Sequence, residues 1–203
     1  MRLAISLTLI FFFATATGAG QRRKEYLTED ELDLIRDAQE LGPRVAAYFT
    51  LAERRLIILG LTEKSEKQKE KERKAQEQYE KDKKKAGPAN APGVKPPVDE
   101  LGYLHDFTRS ELLRGYTQSI DEVMSNIDDQ YNRKLDVRPA LESLEKFTRE
   151  TLPMLEQFQV KNGGEKAALQ EAIDKAKEGN SGAKSAMKTI PKTEKKPPKP
   201  GGH

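Results

Sequence analysis

The residues that could do chemistry in this chain begin with His105, because the second of its two histidines, His203, lies in the predicted disordered tail. His105 lies between Leu104 and Asp106, directly ahead of a helix-start pattern. An imidazole beside a carboxylate can act as a general base or share a metal ion, so His105 and Asp106 are the candidate metal ligands. A histidine at a helix entry is more often an ordinary surface side chain, and that is the simpler interpretation of this pair.

The other arrangements that catalysis or cofactor binding needs are missing from the sequence. The chain has no cysteine, so it offers no thiolate metal ligand and no Cys-x-x-Cys-His haem attachment. It also lacks the Glu-x-x-His pairs that hold two metals inside a helical bundle. Gly163 and Gly164 follow no predicted strand, which argues against a phosphate-binding loop. We therefore expect a protein without catalytic residues, without a cofactor and without enzymatic activity.

Four acids on one predicted helix could in principle gather a cation. They are Asp121, Glu122, Asp128 and Asp129. Their spacing also fits the solvated side of an amphipathic helix, and that simpler interpretation needs no ligand.

Two basic segments are candidate contacts for an anionic surface. One ends a charged stretch at Lys83, Lys84 and Lys85, and the other lies near the C-terminus. The C-terminal residues are Lys192, Lys195, Lys196 and Lys199. Both segments could contact anionic envelope polymers or lipid headgroups, with a solvated charge run as the plainer alternative. Neither interleaves aromatic residues, which argues against nucleic acid as the partner.

The start of the chain has the three parts of an export signal. Arg2 is basic, the following run is apolar as far as Phe13, and small residues come next. This run is shorter than the roughly 20 residues that cross a bilayer, which favours a signal cleaved after Ala19 or Ala16 over an uncleaved anchor. The basic residues 22–24 argue the other way, since such residues tend to stay in the cytoplasm. We expect an exported protein, periplasmic or secreted.

Composition limits the core that the exported chain can build. Of the 203 residues of the full sequence, 35% are hydrophobic and 34% charged, and neither cysteine nor tryptophan occurs. Stability must therefore come from packing, and the apolar residues suffice for one modest core with much of the chain solvated. The net charge of +3 is too small, as an average, to predict a polyanionic partner.

The first half of the chain predicts two amphipathic helices and a charged extension. Thr28 and Glu31 have the spacing of a capping box, and Gly42 ends the helix that they begin. Pro43 suits the first turn of a second, more apolar helix, with Gly60 as a joint after it. From Thr62 to Lys85 the apolar stripe disappears, while Glu and Lys recur four residues apart, which predicts a solvated helix.

The second half repeats this organisation after a segment rich in Pro and Gly. Thr108 and Glu111 form another predicted capping box, and Asp136 is the candidate N-cap of a fourth helix that Pro153 interrupts. A short fifth helix with a thin apolar face is predicted over residues 167–177. From Gly179 onwards the composition is typical of a disordered basic tail.

These elements predict an all-α fold in which two antiparallel helical hairpins dock as a four-helix bundle. The alternative is two hairpins that pack weakly or pair with another copy of the chain. The predicted parts are a signal peptide at 1–19, a first hairpin with its charged extension at 26–85, a Pro/Gly linker at 86–99, a second helical region at 100–178 and a disordered Lys/Pro-rich tail at 179–203.

One stretch of the first hairpin resembles a group of uncharacterised bacterial exported helical proteins. The stretch is Leu27–Glu40, followed by Arg44, Tyr48 and Ala52–Leu56. The resemblance covers this hairpin alone and implies no known activity, substrate or site residue.

The leading functional hypothesis is a non-enzymatic, extracytoplasmic helical protein that binds an unknown protein partner or itself through its helix faces. The heptad-like stripes of Val45–Leu59 and Leu113–Tyr131 would suit a coiled-coil partner, although an intramolecular core is the simpler use for them. The alternative is an envelope-associated binder of anionic polymer or membrane surface through the basic segments. A third hypothesis is a bundle that holds a small ligand or a metal between its helices.

Overall fold

The computed structural model describes residues 26–90, 95–97, 99 and 101–190, and every regular element in these ranges is a helix. The α-helices are α1 (Glu29–Asp37), α2 (Leu41–Ile58), α3 (Glu66–Asn90), α4 (Arg109–Asn132), α5 (Arg138–Glu156) and α6 (Gly163–Thr189), with a short 3-10 helix at Gly102–Asp106. The prediction of an all-α fold is confirmed. The predicted signal peptide at 1–19 and residues 191–203 lie outside the described residues.

Four long helices pack around one core, and they are α2, α4, α5 and α6. α4 lies between α2 and α6, and α5 packs mainly on α6. α2 and α5 meet more lightly, with the rings of Phe49 and Phe147 stacked at a centroid separation of 4.4 Å. Most of the fully buried side chains of the heptad-like stripes, such as Leu56 and Ile120, therefore face this intramolecular core.

The bundle does not consist of the two hairpins that the sequence predicted. Its fourth member is α6, whereas α1 lies lightly against α2 at the side. The physical reason is length, because α1 has 9 residues and can present little apolar surface, while α6 has 27.

Small side chains let α6 approach its neighbours closely. Its buried positions are Ala168, Ala172, Ala176, Gly179 and Ala183, together with Glu165. At Gly179 an added Cβ would lie 3.4 Å from the side chains of both Leu144 and Thr148. The helix predicted at 167–177 is present but longer, because small apolar side chains pack closely and hold the whole of α6 against its neighbours.

The helix α6 also continues through the first part of the predicted tail. Asn180 donates to the Glu145 carbonyl at 3.0 Å, and Arg138 donates to the carbonyls of Met187 and Ile190 at 3.1 and 2.9 Å. These last two bonds satisfy acceptors at the end of α6 that the helix itself leaves open. Residues 179–189 are therefore helical, and the predicted start of the disordered tail was wrong.

The helix-start predictions are confirmed at both capping boxes. The Thr28 and Thr108 hydroxyls accept from the amides of Glu31 and Glu111, and each glutamate side chain accepts the cap residue's amide in return. Near the predicted Asp136 cap, the N-cap is instead Val137, while an Asp136 carboxylate oxygen accepts the amide of Arg138 at 3.1 Å.

Three other boundaries differ from the predictions. α1 already ends at Asp37, so that Gly42 and Pro43 lie within the first turn of α2. α5 runs unbroken through Pro153, which lies in its last turn, where only one backbone bond is lost. α3 extends to Asn90 and so includes Gly87 and Pro88 of the predicted linker, since these helix breakers lie only at its end.

Among the described residues, no helix combines the length and the apolar character that crossing a bilayer would require.

Candidate functional site

The candidate metal ligands His105 and Asp106 do not form a metal-binding cluster among the residues that the structure describes. His105 Nε2 lies 4.0 Å from a carboxylate oxygen of Asp99, and both side chains are exposed. Asp106, the partner expected from sequence, is exposed at the end of the 3-10 helix. In the part of the chain that the structure describes, no group of three or more histidines and acids could hold a metal ion. A metal site at His105 would need further ligands from outside the described residues.

The acids of α4 lie among cations and hydroxyls of neighbouring helices. Asp121 accepts from Lys175 on α6 at 2.9 Å, and Glu122 accepts from the Tyr48 hydroxyl at 3.5 Å. The hydrogen bonds that Lys175 donates to Glu178 and then to Asp121 raise its pKa. Asp129 pairs with Arg133 one turn along α4 at 3.5 Å. This agrees with the interpretation of the acids as the polar side of the helix.

A buried ion pair joins Glu31 of α1 to Arg55 of α2. Both side chains are at most 2% exposed. The two guanidinium nitrogens of Arg55 each donate to one carboxylate oxygen of Glu31 at 3.0 Å. Such a two-point pair has the geometry that best compensates for the loss of hydration of two buried charges.

Further partners complete this pair. Arg55 also donates to the carbonyl of Leu51, at 2.8 Å, and to that of Tyr26. The Tyr103 hydroxyl, from the 3-10 helix, donates to Glu31. Burial first, and then the bond to Glu31, raises the pKa of Tyr103 well above its usual range. The pair thereby joins α1, α2 and the 3-10 helix.

The fourth element at this junction is α4, through Gly115. An added Cβ there would lie 2.4 Å from Arg55 Nε and 2.8 Å from its Cδ. A glycine at this position therefore provides the space through which the arginine side chain passes. Neither Arg55 nor Gly115 was predicted from the sequence as a site residue. A signal was present, because Arg55 follows Leu51 by four residues and Ala52 by three, which puts it on the buried stripe of α2.

The helix α3 differs from every other long helix in making no extensive contact with the bundle. With 25 residues it is about 37 Å long at 1.5 Å per residue. None of its described side chains is buried. An open cleft of about 520 Å³ runs between its first turns and the segment at Pro97 and Asp99. α3 is thus a charged arm beside the bundle.

Ion pairs cover the first part of α3. Lys69 contacts Glu63 at 2.9 Å and Glu66 at 3.1 Å, while Glu70 accepts from Arg73 at 2.7 Å and lies 3.3 Å from Lys74. Hydrogen bonds from the lysine lower the pKa of Glu63, and those from Arg73 and then Lys74 lower the pKa of Glu70. Glu70 and Lys74 thus form one of the Glu–Lys pairs that the four-residue spacing predicts.

The predicted anionic-surface residues of the arm lie beyond these pairs. Lys83, Lys84 and Lys85 are exposed, as is Lys81 one turn earlier. The other predicted contacts, Lys192, Lys195, Lys196 and Lys199, lie outside the described residues.

An apolar groove lies at the end of the bundle, and no sequence pattern predicted it. It has a volume of about 250 Å³ between the ends of α4 and α6 and the start of α5. Tyr131 lines it and is 57% exposed, and Leu135, in the turn that follows α4, is 50% exposed.

The fold and these surfaces define an all-α bundle with a charged helical arm. No family model, no curated protein and no solved structure matches the chain. Function must therefore be inferred from the residues and their geometry.

Proposed function

We propose that this chain is a non-enzymatic interaction protein that works outside the cytoplasm. Its bundle is the scaffold, and α3 is the surface presented to a protein partner. The observation that carries the proposal is the exposure of α3, a 25-residue helix without a buried side chain among those described. A helix that adds no apolar burial contributes little to the stability of the fold, and its side chains remain open as a surface for a partner.

The packing of the bundle limits the helix surfaces to which a partner could bind. The apolar stripes of α2 and α4 are buried against each other, with Leu51 and Leu113 fully enclosed. A partner that used those faces would have to open the core. The arm needs no such rearrangement.

The composition of α3 also limits the kinds of contact that the partner can make with it. Its only uncharged side chains beyond glutamines, in the described part from Glu66 to Lys85, are Ala75 and Tyr79. A coiled coil requires an apolar residue at two positions of every heptad, so self-pairing through α3 has no seam to bury. The partner is therefore bound by charge and hydrogen bonds, and its binding should weaken as salt increases.

Site-specific crosslinking tests this proposal. A photoreactive residue at the exposed position Ala75 should capture a partner from the envelope fraction, and capture should fall as ionic strength rises. The matched control carries the same residue at Lys146, which is exposed on α5. Equal capture at both positions, or none at Ala75 under low salt, would contradict the proposal. A crosslinked dimer of this chain would instead identify the partner as a second copy.

A second experiment separates the arm from the scaffold. Replacing residues 66–85 by a flexible Gly/Ser segment should abolish the captured product. Because no described side chain of α3 is buried, the thermal midpoint of the bundle should remain nearly unchanged. A large fall in the midpoint would show that α3 is part of the scaffold.

A further inference from the structure

Charge is distributed unevenly along α3. In its first part, acids and bases alternate and neutralise one another, as in the contacts of Lys69 with Glu63 and Glu66. Beyond Tyr79 the bases dominate, and four lysines occur within five positions. These lysines are Lys81, Lys83, Lys84 and Lys85, which we call the lysine tip.

The acids beside the lysine tip are bound to other side chains, and Glu80 accepts from Gln76 at 3.3 Å. Within the described part of the chain, none of its four ammonium groups forms an ion pair. The one acid among them, Asp82, accepts instead from the neutral amide of Gln78 at 2.9 and 3.0 Å. Upstream, by contrast, Glu70 and Glu77 both contact Arg73. The tip therefore carries exposed positive charge on an element that nothing in the bundle covers.

We propose that the lysine tip binds the anionic surface of a lipid bilayer, through the phosphates of its headgroups. Residues three and four apart share one face of a helix, so Lys81, Lys84 and Lys85 can reach one plane together through their flexible side chains. An ammonium group binds phosphate as a point charge without requiring a shaped pocket. Because α3 makes no extensive contact with the bundle, a flat surface can approach it.

The same geometry argues against single-stranded nucleic acid as the ligand. Such binding relies on aromatic side chains on which bases stack. The aromatic residue nearest the tip is Tyr79, and the ammonium of Lys83 lies 5.8 Å from its ring centroid. That ring face is thus partly occupied, and no other aromatic side chain lies in α3.

The inference rests on the proposal that α3 is presented as an arm, but it does not require a protein partner. The partner surface proposed above is the mixed-charge region around Ala75, whereas the tip begins two turns further along. A lysine near an anionic bilayer strengthens binding by about fivefold. Binding by four lysines is therefore weak, reversible and sensitive to salt.

Vesicle sedimentation with the mature chain tests the inference. The protein should bind vesicles of phosphatidylcholine mixed with phosphatidylglycerol and not vesicles of phosphatidylcholine alone. Changing all four tip lysines to glutamine should reduce binding by about a hundredfold or more. Circular dichroism of this variant should confirm that helix content is unchanged.

A matched control removes the same charge from the bundle. It carries Lys146→Gln, Lys161→Gln, Lys166→Gln and Lys188→Gln, all at exposed positions. This control should bind within a fewfold of the unmodified chain. If it loses as much binding as the tip variant, or if phosphatidylcholine alone binds equally well, the inference is wrong.

A competition arm distinguishes lipid from soluble polymer. Inorganic phosphate, which offers one phosphate at a time, should compete only at high concentration, because a bilayer offers many headgroups to the tip at once. Tight binding of polyphosphate without binding to vesicles would overturn the lipid assignment. None of these failures would affect capture through Ala75, so the two proposals fail independently.

Discussion

Arg55 passes across the backbone of Gly115 so closely that an added Cβ would lie 2.4 Å from its Nε. The arginine is 1% exposed, and its guanidinium is held by the carboxylate of Glu31. This one approach joins α2 to α4 at the point where α1 is attached to the bundle. Polar bonds, rather than apolar burial alone, therefore fix the position of α1.

The substitution Gly115→Ala should destabilise the fold. In most helices this exchange stabilises by up to about 1 kcal/mol. Here the new methyl group displaces a buried arginine that is held by several bonds, and we expect a net loss of about 1–3 kcal/mol in the free energy of unfolding. Gly182→Ala is the matched control, because nothing lies within 4 Å of its added Cβ. Urea unfolding should show opposite signs for the two variants, and equal stabilisation would refute the close approach.

Breaking the buried pair from one side should cost more than removing both charges. Glu31→Ala leaves Arg55 without a counter-ion and should lower the free energy of unfolding by about 3–5 kcal/mol. Adding Arg55→Met should recover part of this loss, since no unpaired charge is then buried. A double-mutant cycle from chemical unfolding measures the coupling. Additive losses would mean that the two residues do not interact. As a control, Asp33→Ala removes an exposed pairing with Arg36 and should change stability little.

Stability should fall in alkaline solution. Burial raises the pKa of Tyr116 to about 12, while its ordinary value is 10.0. The folded state thus keeps a proton that the unfolded state releases, so this contribution is complete below pH 10 and is lost as the pH approaches 12. Burial likewise raises the pKa values of Tyr26, Tyr48 and Tyr103.

Unfolding by urea at a series of pH values should therefore show a declining free energy above pH 10. Tyr116→Phe removes one titrating group and should make this decline shallower, by up to about 1.4 kcal/mol per pH unit. Its loss of the 2.7 Å hydrogen bond to Thr151 affects all pH values alike, so the slopes are the quantity to compare. An unchanged slope would contradict the burial of this hydroxyl.

Truncation should separate the end of α6 from the residues after it. A chain that ends at Glu178 loses the buried residues Gly179 and Ala183 and the carbonyls that Arg138 binds. We expect a clear fall in thermal midpoint, measured by circular dichroism. A chain that ends at Ile190 keeps all of these contacts and should unfold at the same temperature as the full chain. Equal stability of the two truncated chains would support the sequence-based boundary instead.

Export predicts a defined mature N-terminus. If the signal is cleaved after Ala19, the mature chain begins at Gly20, and cleavage after Ala16 gives Thr17. Intact-mass measurement of the protein secreted by a bacterial host distinguishes these products. Replacing Ala19 by a bulky residue should block or shift the first cleavage. Recovery of only the full-length chain from the cytoplasm would contradict the prediction of export.

Local sequence patterns were reliable wherever neighbouring residues decide the structure. The capping boxes at Thr28 and Thr108 and the charged helix around Glu70 depend on side chains three or four residues apart. Such contacts can form whatever the rest of the chain does, and that is why the sequence predicted them.

The candidate site was predictable only in part. The exposed lysines at positions 83–85 follow directly from composition, since a run of charge has no other place than the surface. That the arm stands apart from the bundle depended on which helices pack together. His105 and Asp106 were paired only because they are adjacent in the sequence. In the structure it is a carboxylate oxygen of Asp99 that lies 4.0 Å from the imidazole.

The sequence by itself determined the all-helical character, the two helix starts at Thr28 and Thr108 and the solvated charge of α3, because these depend on propensity and on short-range bonds. Tertiary structure alone decided that α6 completes the bundle and that Arg55 is buried with Glu31 beside Gly115. The sequence alone does not distinguish the alanines and glycines of a disordered tail from those of a tightly packed helix. Nor does it distinguish an arginine on the surface from one in the core. What distinguishes them is the shape and charge of residues far away in the chain, and only the fold brings those into contact.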